Sequence, residues 1–148
     1  MSLQFVADIH RVATLLTSVL EREKQIGASA GDLFALSALG EPRQYDVAGL
    51  QVRLGVAPST LSSILNRLEK RGLLRRQPGR DRRTSDLVLT PDGHQAAESA
   101  RTFLESLEDR MVGELSYGQV IAFTEVIEVL EKALRAGSRK GTVRTVGA

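Results

Sequence analysis

Two groups of side chains in this sequence have the types and the spacing to bind a polyanion. Arg80, Arg82 and Arg83 stand within four positions, directly after a Pro-Gly pair. Mutual repulsion makes such a cluster unfavourable unless a polyanion relieves it. The second group lies on or beside one polar face of a predicted helix. Its members are Ser59, Thr60, Ser62, Ser63, Asn66, Arg67 and Lys70. Together the two groups predict a double-stranded DNA partner.

Each group has a chemistry suited to one part of a DNA duplex. Short hydroxyls allow a helix backbone to approach phosphates, and Asn66 and Arg67 carry the donors and acceptors that match adenine and guanine edges in the major groove. The arginines after the Pro-Gly pair suit a narrow minor groove. Because phosphates repel a carboxylate, Asp81 is predicted to orient an arginine through a charge-assisted hydrogen bond. A polar helix face alone would be better interpreted as solvated surface, and it is the basic cluster that favours DNA.

The residues needed for an enzyme are largely missing. His10 and His94 are the two histidines, and neither belongs to a zinc-binding H-E-x-x-H pattern, a glycine-rich phosphate loop or a nucleophile elbow. Both are interpreted as surface histidines. The sequence has no cysteine, which excludes disulfides, thiolate metal sites and thiol redox sensing. We therefore predict a protein that is not an enzyme and has neither a cofactor nor a metal.

Length and composition indicate one soluble globular unit over residues 1–148. The chain has 42% hydrophobic and 26% charged residues, with no apolar run near the ~20 residues of a membrane-spanning helix and no secretory signal. A cytoplasmic location without membrane contact is expected. The net charge of +2 hides a polarised chain. From Arg67 to Arg83 the sequence has eight basic and two acidic residues, whereas acidic residues outnumber basic ones from Asp92 to Lys132.

Apolar periodicity and capping signals place these residues on helices and on one hairpin. Amphipathic helices are predicted from the N-terminus to near Gly27, after the caps Ser29 and Asp46, and from Pro58 to Gly72. Short strands at 73–77 and 86–89 flank the basic tip as a hairpin. Thr90-Pro91 opens a long fifth helix, and the capping-box pair Ser116 and Gln119 opens a sixth.

This order of elements predicts a mainly α fold with a small β-hairpin wing, a winged helix-turn-helix. The DNA-binding lobe is expected over residues 30–90, with dimerisation helices at 1–28 and 91–136 and a disordered tail at 137–148. The apolar seams of the terminal helices suit pairing with a second copy better than a globular surface. The dimerisation residues predicted from these seams are Val6, Ile9, Val120, Phe123, Ile127, Leu130 and Leu134.

From about Asp46 to Gly93 the sequence resembles the MarR family of bacterial transcription regulators. LGVAPSTLSSILNRLEKRGLLRR is similar to that family's recognition-helix segment, and RDRRTSDLVLTPDG is similar to its wing. Two positions depart from the pattern, since Ala57 replaces a frequent hydroxyl cap and Gln51 replaces a small residue. The resemblance implies an obligate homodimer on a palindromic operator that acts as a repressor. It also implies a cleft for a phenolic or anionic small-molecule effector.

One alternative keeps the winged fold without DNA binding, as a protein-interaction module of the anti-repressor type. The arginine-rich wing argues against it. A second alternative, in which all apolar stripes pack inside a monomer, is disfavoured by their extent. A steep loss of DNA affinity between about 50 and 200 mM salt is expected of a DNA-binding protein and not of a module with a neutral protein partner.

Overall fold

Helices make up most of the chain over residues 4–22, 29–79, 81 and 83–138, which the computed structural model describes. The elements are α1 (Gln4–Arg22), α2 (Ala30–Leu39), α3 (Val47–Leu54), α4 (Pro58–Lys70), β1 (Leu74–Pro78), β2 (Ser85–Leu89), α5 (Pro91–Val112) and α6 (Tyr117–Ser138). The chain divides into two compact units, Met1–Glu105 and Ser106–Ala148. None of the helices in the described ranges is long and apolar enough to cross a membrane.

The helix starts follow local capping chemistry. Ser29 accepts a hydrogen bond from the backbone N–H of Asp32 at the start of α2, and Asp46 accepts one from Gly49 at the start of α3. At the end of α3, Gly55 adopts φ 65°, a left-handed conformation that glycine tolerates without strain. The two caps predicted from the sequence, Ser29 and Asp46, are confirmed. The predicted end of α1 near Gly27 falls outside the described residues.

The ends of α4 explain how the hairpin begins. Pro58 occupies the first turn, and Ala57 makes no side-chain cap. At the other end Gly72, at φ 72°, donates to the carbonyl of Glu69, while Leu73 donates to the carbonyl of Leu68. This pair of bonds is a Schellman motif. It satisfies the last carbonyls of α4 and turns the chain toward the strands.

The hairpin pairs antiparallel with Leu74 opposite Leu89 and Pro78 opposite Ser85. The sequence predicted strands at 73–77 and 86–89, so the first strand is wrong by one residue at each end and the second begins one residue earlier than expected. The reason is physical. The amide of Leu73 belongs to the helix cap, and the bond from the Gly79 N–H to the Thr84 carbonyl extends pairing toward the tip.

The last two helices are capped as predicted. The Thr90 hydroxyl accepts from the Gly93 N–H and donates to the Gly72 carbonyl, so it also joins the start of α5 to the end of α4. Ser116 and Gln119 exchange two hydrogen bonds before α6. Since α6 continues through Ser138, the tail predicted at 137–148 is wrong at its first two residues. Its remainder lies outside the described residues.

Leucine dominates the core of the first unit. Helix α2 packs against α3 and α4, and each of the three helices contacts the hairpin. The largest apolar side chains that are almost completely buried there are Leu33, Leu36, Leu50, Leu61, Ile64, Leu65 and Leu68. Four of them lie on one side of α4, as expected of the amphipathic helix predicted from Pro58 to Gly72. Burial of one side of α4 leaves its opposite, polar side in solvent.

Candidate nucleic-acid interface

The predicted binding face of α4 lies open to solvent. Ser59, Thr60, Ser62, Ser63, Asn66, Arg67 and Lys70 are all exposed. The Ser63 hydroxyl donates to the carbonyl of Ser59 one turn earlier, which ties this hydroxyl to its own helix. The structure thus brings the seven residues onto one accessible surface. We call this surface the α4 face.

Arg67 also holds α4 against α2. Its Nε and Nη2 atoms lie 3.2 Å and 2.8 Å from the carboxylate oxygens of Asp32, and Nη2 lies 3.3 Å from the Ser29 hydroxyl. The Asp32 side chain is 2% exposed and that of Arg67 is 47% exposed. Hydrogen bonding to Asp32 raises the pKa of the Arg67 guanidinium. The role of Arg67 in DNA binding stays a prediction. The structure shows a second role, which is to hold α4 against α2.

Arg76, which the sequence analysis did not select, contacts the α4 face from strand β1. Its Nη2 donates to Oδ1 of Asn66 at 2.9 Å, and its Nε lies 3.0 Å from a carboxylate oxygen of Glu69. Helix α4 and the wing are therefore joined through one guanidinium. The available signal was weak, since Arg76 was one of eight basic residues in the stretch and nothing in its spacing indicated a partner ten positions earlier.

The wing tip is only partly described. Arg80 and Arg82, both predicted to bind DNA, lie outside the described residues, whereas Arg83 is exposed. The Asp81 carboxylate accepts a hydrogen bond from the backbone N–H of Arg83 at 3.2 Å. Asp81 thus orients the backbone of an arginine. The prediction that it orients an arginine side chain stays untested.

A polar cluster connects the start of the helix-turn-helix to the wing. The Tyr45 hydroxyl donates to Glu41, and Arg53 of α3 pairs with the same carboxylate at 2.9 Å. The Arg53 hydrogen bond, then that of Tyr45, lowers the pKa of Glu41. The Tyr45 carbonyl accepts the N–H of Leu87 in β2, and the Arg43 guanidinium stacks 5.4 Å from the Tyr45 ring centre. These contacts fix α3 relative to the hairpin.

The residues predicted for dimerisation are largely exposed. In α1, Val6 and Ile9 lie in solvent, as do Phe123, Ile127 and Leu134 in α6. Val120 and Leu130 are partly buried. Each helix therefore carries apolar side chains that its own unit leaves uncovered.

Other candidate sites are sparse within the described ranges. A cavity of about 290 Å³ lies among α2, α3 and α4. Its lining is Gly31, Phe34, Ser37, Ala38, Arg53, Leu54, Val56 and Ile64. Among all the described residues, no group of three or more histidine, cysteine, aspartate or glutamate side chains could hold a metal ion. His10 and His94 are exposed.

Known proteins share both sequence and fold with this chain. Residues 29–85 match the sequence model of the MarR family. The HTH-type transcriptional repressor MdtR of Bacillus subtilis (strain 168) is 25% identical over 130 residues, covering 87% of this chain and 84% of MdtR.

Two solved structures superpose on most of the chain. The first is the PcaV transcriptional regulator from Streptomyces coelicolor in complex with its natural ligand, with a TM-score of 0.74 and 21% identity over 90% of this chain and 97% of PcaV. The second is the M. tuberculosis transcriptional regulator MOSR in complex with DNA, with a TM-score of 0.71 and 20% identity over 88% of this chain and 97% of MOSR. The predicted fold class is confirmed.

Proposed function

We propose that this chain is a transcriptional regulator of the MarR family, whose sequence model its residues 29–85 match, and that it binds duplex DNA sequence-specifically as a homodimer and represses transcription from a palindromic operator. The observation that carries the proposal is the exposed α4 face, which Arg76 joins directly to the wing. A polar helix face beside a basic hairpin is the combination that winged helix-turn-helix proteins apply to the major groove and the neighbouring backbone. A DNA target also favours a cytoplasmic location.

The neighbour MOSR, whose structure is a complex with DNA, supports the same proposal. In this chain the face has the required chemistry, because its hydroxyls can contact phosphates while Asn66 can contact base edges. Lys70, exposed at the end of α4, adds a cation that can contact a phosphate. The alternative of an anti-repressor module without DNA binding would leave this face without a ligand.

A salt titration of two charge variants tests DNA binding. Lys70→Ala removes one cation from the α4 face, and Lys132→Ala removes one from the acidic helix α6. For a DNA-binding protein, the logarithm of affinity falls linearly with the logarithm of salt concentration. We expect Lys70→Ala to reduce that slope by about one and Lys132→Ala to leave it unchanged. Absence of duplex affinity at low salt in the parent protein would support the anti-repressor alternative.

The homodimer rests on the apolar side chains that α1 and α6 leave exposed. Phe123 is 62% exposed and Leu134 is 74% exposed. Contiguous apolar surface of this kind commonly marks a protein interface. Light scattering should give twice the chain mass for the parent and for Val52→Glu, a control that replaces an exposed apolar residue of α3, but a monomer for Phe123→Glu. A stable monomer of the parent at micromolar concentration would exclude the homodimer.

A small-molecule effector has support from PcaV, which was solved with its natural ligand, whereas the phenolic or anionic nature of the effector rests on the family resemblance alone. It stays a prediction for this chain. A ligand that binds the folded protein raises its unfolding temperature by mass action. A thermal-shift screen of phenolic and anionic compounds is therefore the direct test, and a screen without a stabilising compound would leave the effector unsupported.

A further inference from the structure

Arg76 lies where it can control the orientation of a base-contacting side chain. Side chains two apart on a strand point to the same side, so Arg76 shares the side of Leu74, which is buried. That side faces the end of α4, which packs against β1. The guanidinium consequently lies beside Asn66 and Glu69, which are three residues apart on the helix and therefore neighbours on its surface.

The chemistry of the contact fixes which way the Asn66 amide points. An arginine side chain has five N–H donors and no acceptor. The Asn66 atom 2.9 Å from Nη2 of Arg76 must therefore be the carbonyl oxygen Oδ1, and the Nδ2 group is directed away from the wing. The opposite orientation would place two donors against each other.

Glu69 keeps the guanidinium in this position. Its carboxylate lies 3.0 Å from Nε of Arg76, and the two side chains are about one third exposed. A carboxylate near a DNA-binding face opposes phosphate binding, so its presence on α4 is explained by the arginine that it holds. With Nε occupied by Glu69, Nη2 remains directed at Asn66.

From this arrangement we propose that Arg76 is a specificity-determining positioning residue, which presents Asn66 to the DNA with its Nδ2 donor outward. The inference rests on the proposed DNA-binding function and deepens it. An outward donor favours major-groove acceptors, which are N7 of purines, O6 of guanine and O4 of thymine, and disfavours the N4 donor of cytosine. Without Arg76 the amide can rotate, and either orientation becomes available to the bases.

The test compares base preferences rather than affinity alone. Duplexes bound by the parent protein are selected from a random pool and sequenced, and the selection is repeated with Asn66→Ala to find the operator position that depends on Asn66. At that position a specific contact gives roughly tenfold discrimination between bases or more. In Arg76→Met we expect this discrimination to fall severalfold and cytosine to become accepted, while preferences elsewhere in the operator are retained.

Two further variants separate positioning from simple phosphate contact. Arg75→Met removes the same charge from the adjacent position of β1 and should weaken binding to all sequences alike, without changing preferences. In an Asn66→Ala background, Arg76→Met should cause no further change in preference. Arg76→Gln serves as a second replacement, and thermal unfolding checks that each variant is folded.

The outcomes distinguish this inference from the proposed function. If the parent selects an operator but Arg76→Met and Arg76→Gln lower its affinity uniformly with unchanged base preferences, Arg76 is a phosphate contact and the inference is overturned alone. The inference is also overturned if Asn66→Ala changes the base preference at no position of the operator. If the parent selects no sequence at all, the proposed function and the inference both fall.

Discussion

Replacing the two partners of the Arg67–Asp32 ion pair one at a time should have unequal effects on stability. The Asp32 carboxylate is 2% exposed, whereas the Arg67 side chain is 47% exposed. Arg67→Met therefore leaves a charge in the protein interior. Asp32→Asn leaves a charge that water can reach, and which can still bond to Ser29. The cost of losing a partner depends on where the remaining charge lies.

The magnitude follows from the burial of each partner. Breaking a fully buried ion pair by removing one partner costs about 3–5 kcal/mol. Half of the Arg67 side chain is in solvent, which weakens the pair, and Asp32 lies in the first turn of α2, where the helix dipole offsets up to about 1 kcal/mol. We therefore expect Arg67→Met to lower the free energy of unfolding by about 2–3 kcal/mol and Asp32→Asn by about 1 kcal/mol.

Urea denaturation at neutral pH and one fixed protein concentration measures both losses, because oligomerisation would otherwise shift the midpoint. Arg101→Met is the control, since Arg101 pairs with Glu98 on the exposed surface of α5, and its midpoint should not move. The double variant Asp32→Leu/Arg67→Met should recover most of the loss, because an apolar pair leaves no buried charge. Equal losses for the two single variants, or a larger loss for Asp32→Asn, would refute the burial argument.

Three further changes have defined outcomes in the same unfolding assay. Gly93→Ala should lower the free energy of unfolding by about 3 kcal/mol, because its Cβ would lie 1.9 Å from the carbonyl oxygen of Leu73. Gly118→Ala, with open space around it, should be neutral or stabilising. Equal effects of the two variants would contradict the packing argument. Ala57→Ser should stabilise by about 1 kcal/mol, since the backbone there is extended and the N-terminus of α4 has no side-chain cap; no gain would show that the cap does not form. At pH values above 4.5, the ordinary pKa of this carboxyl group, Glu41→Gln should cause a small loss of stability. Because the arginine partner on α3 depresses the folded-state pKa of Glu41, the difference from the parent should vanish as pH falls through the lowered value, and a difference that persists in acid would contradict that cause.

Local chemistry explains which parts of the fold the sequence could predict. A cap involves residues within three or four positions of each other, so Ser29, Asp46 and Thr90 indicate helix starts without knowledge of the tertiary structure. Gly72, which ends α4, is likewise a signal that can be recognised from neighbouring positions alone. Its consequence for the strand was missed, because the amide of Leu73 can either pair in the hairpin or close the helix cap, and only the geometry decides.

Contacts between distant positions explain what the sequence could not predict at the candidate site. From the sequence alone, Asp32 fits the role of an acidic residue in the first turn of α2, because it lies three positions after the cap Ser29. Its partner Arg67 is 35 positions away. The contact between Asn66 and Arg76 depends on the hairpin turning back along α4, which no periodicity encodes. Exposure of the α4 face was predictable, whereas the bonds that orient its side chains were not.

These contacts change how the positive charge of the predicted DNA-binding lobe should be counted. Eight basic residues stand from Arg67 to Arg83, and a count from the sequence alone assigns one neutralised phosphate to each of them. The structure pairs Arg67 with Asp32 and Arg76 with Glu69. A cation that keeps its carboxylate partner releases fewer DNA counterions, so it adds little to the salt dependence of binding. Under the proposed function, Arg67 and Arg76 are therefore expected to hold α4 and Asn66 in position and to add less to the salt dependence of binding than an exposed cation such as Lys70.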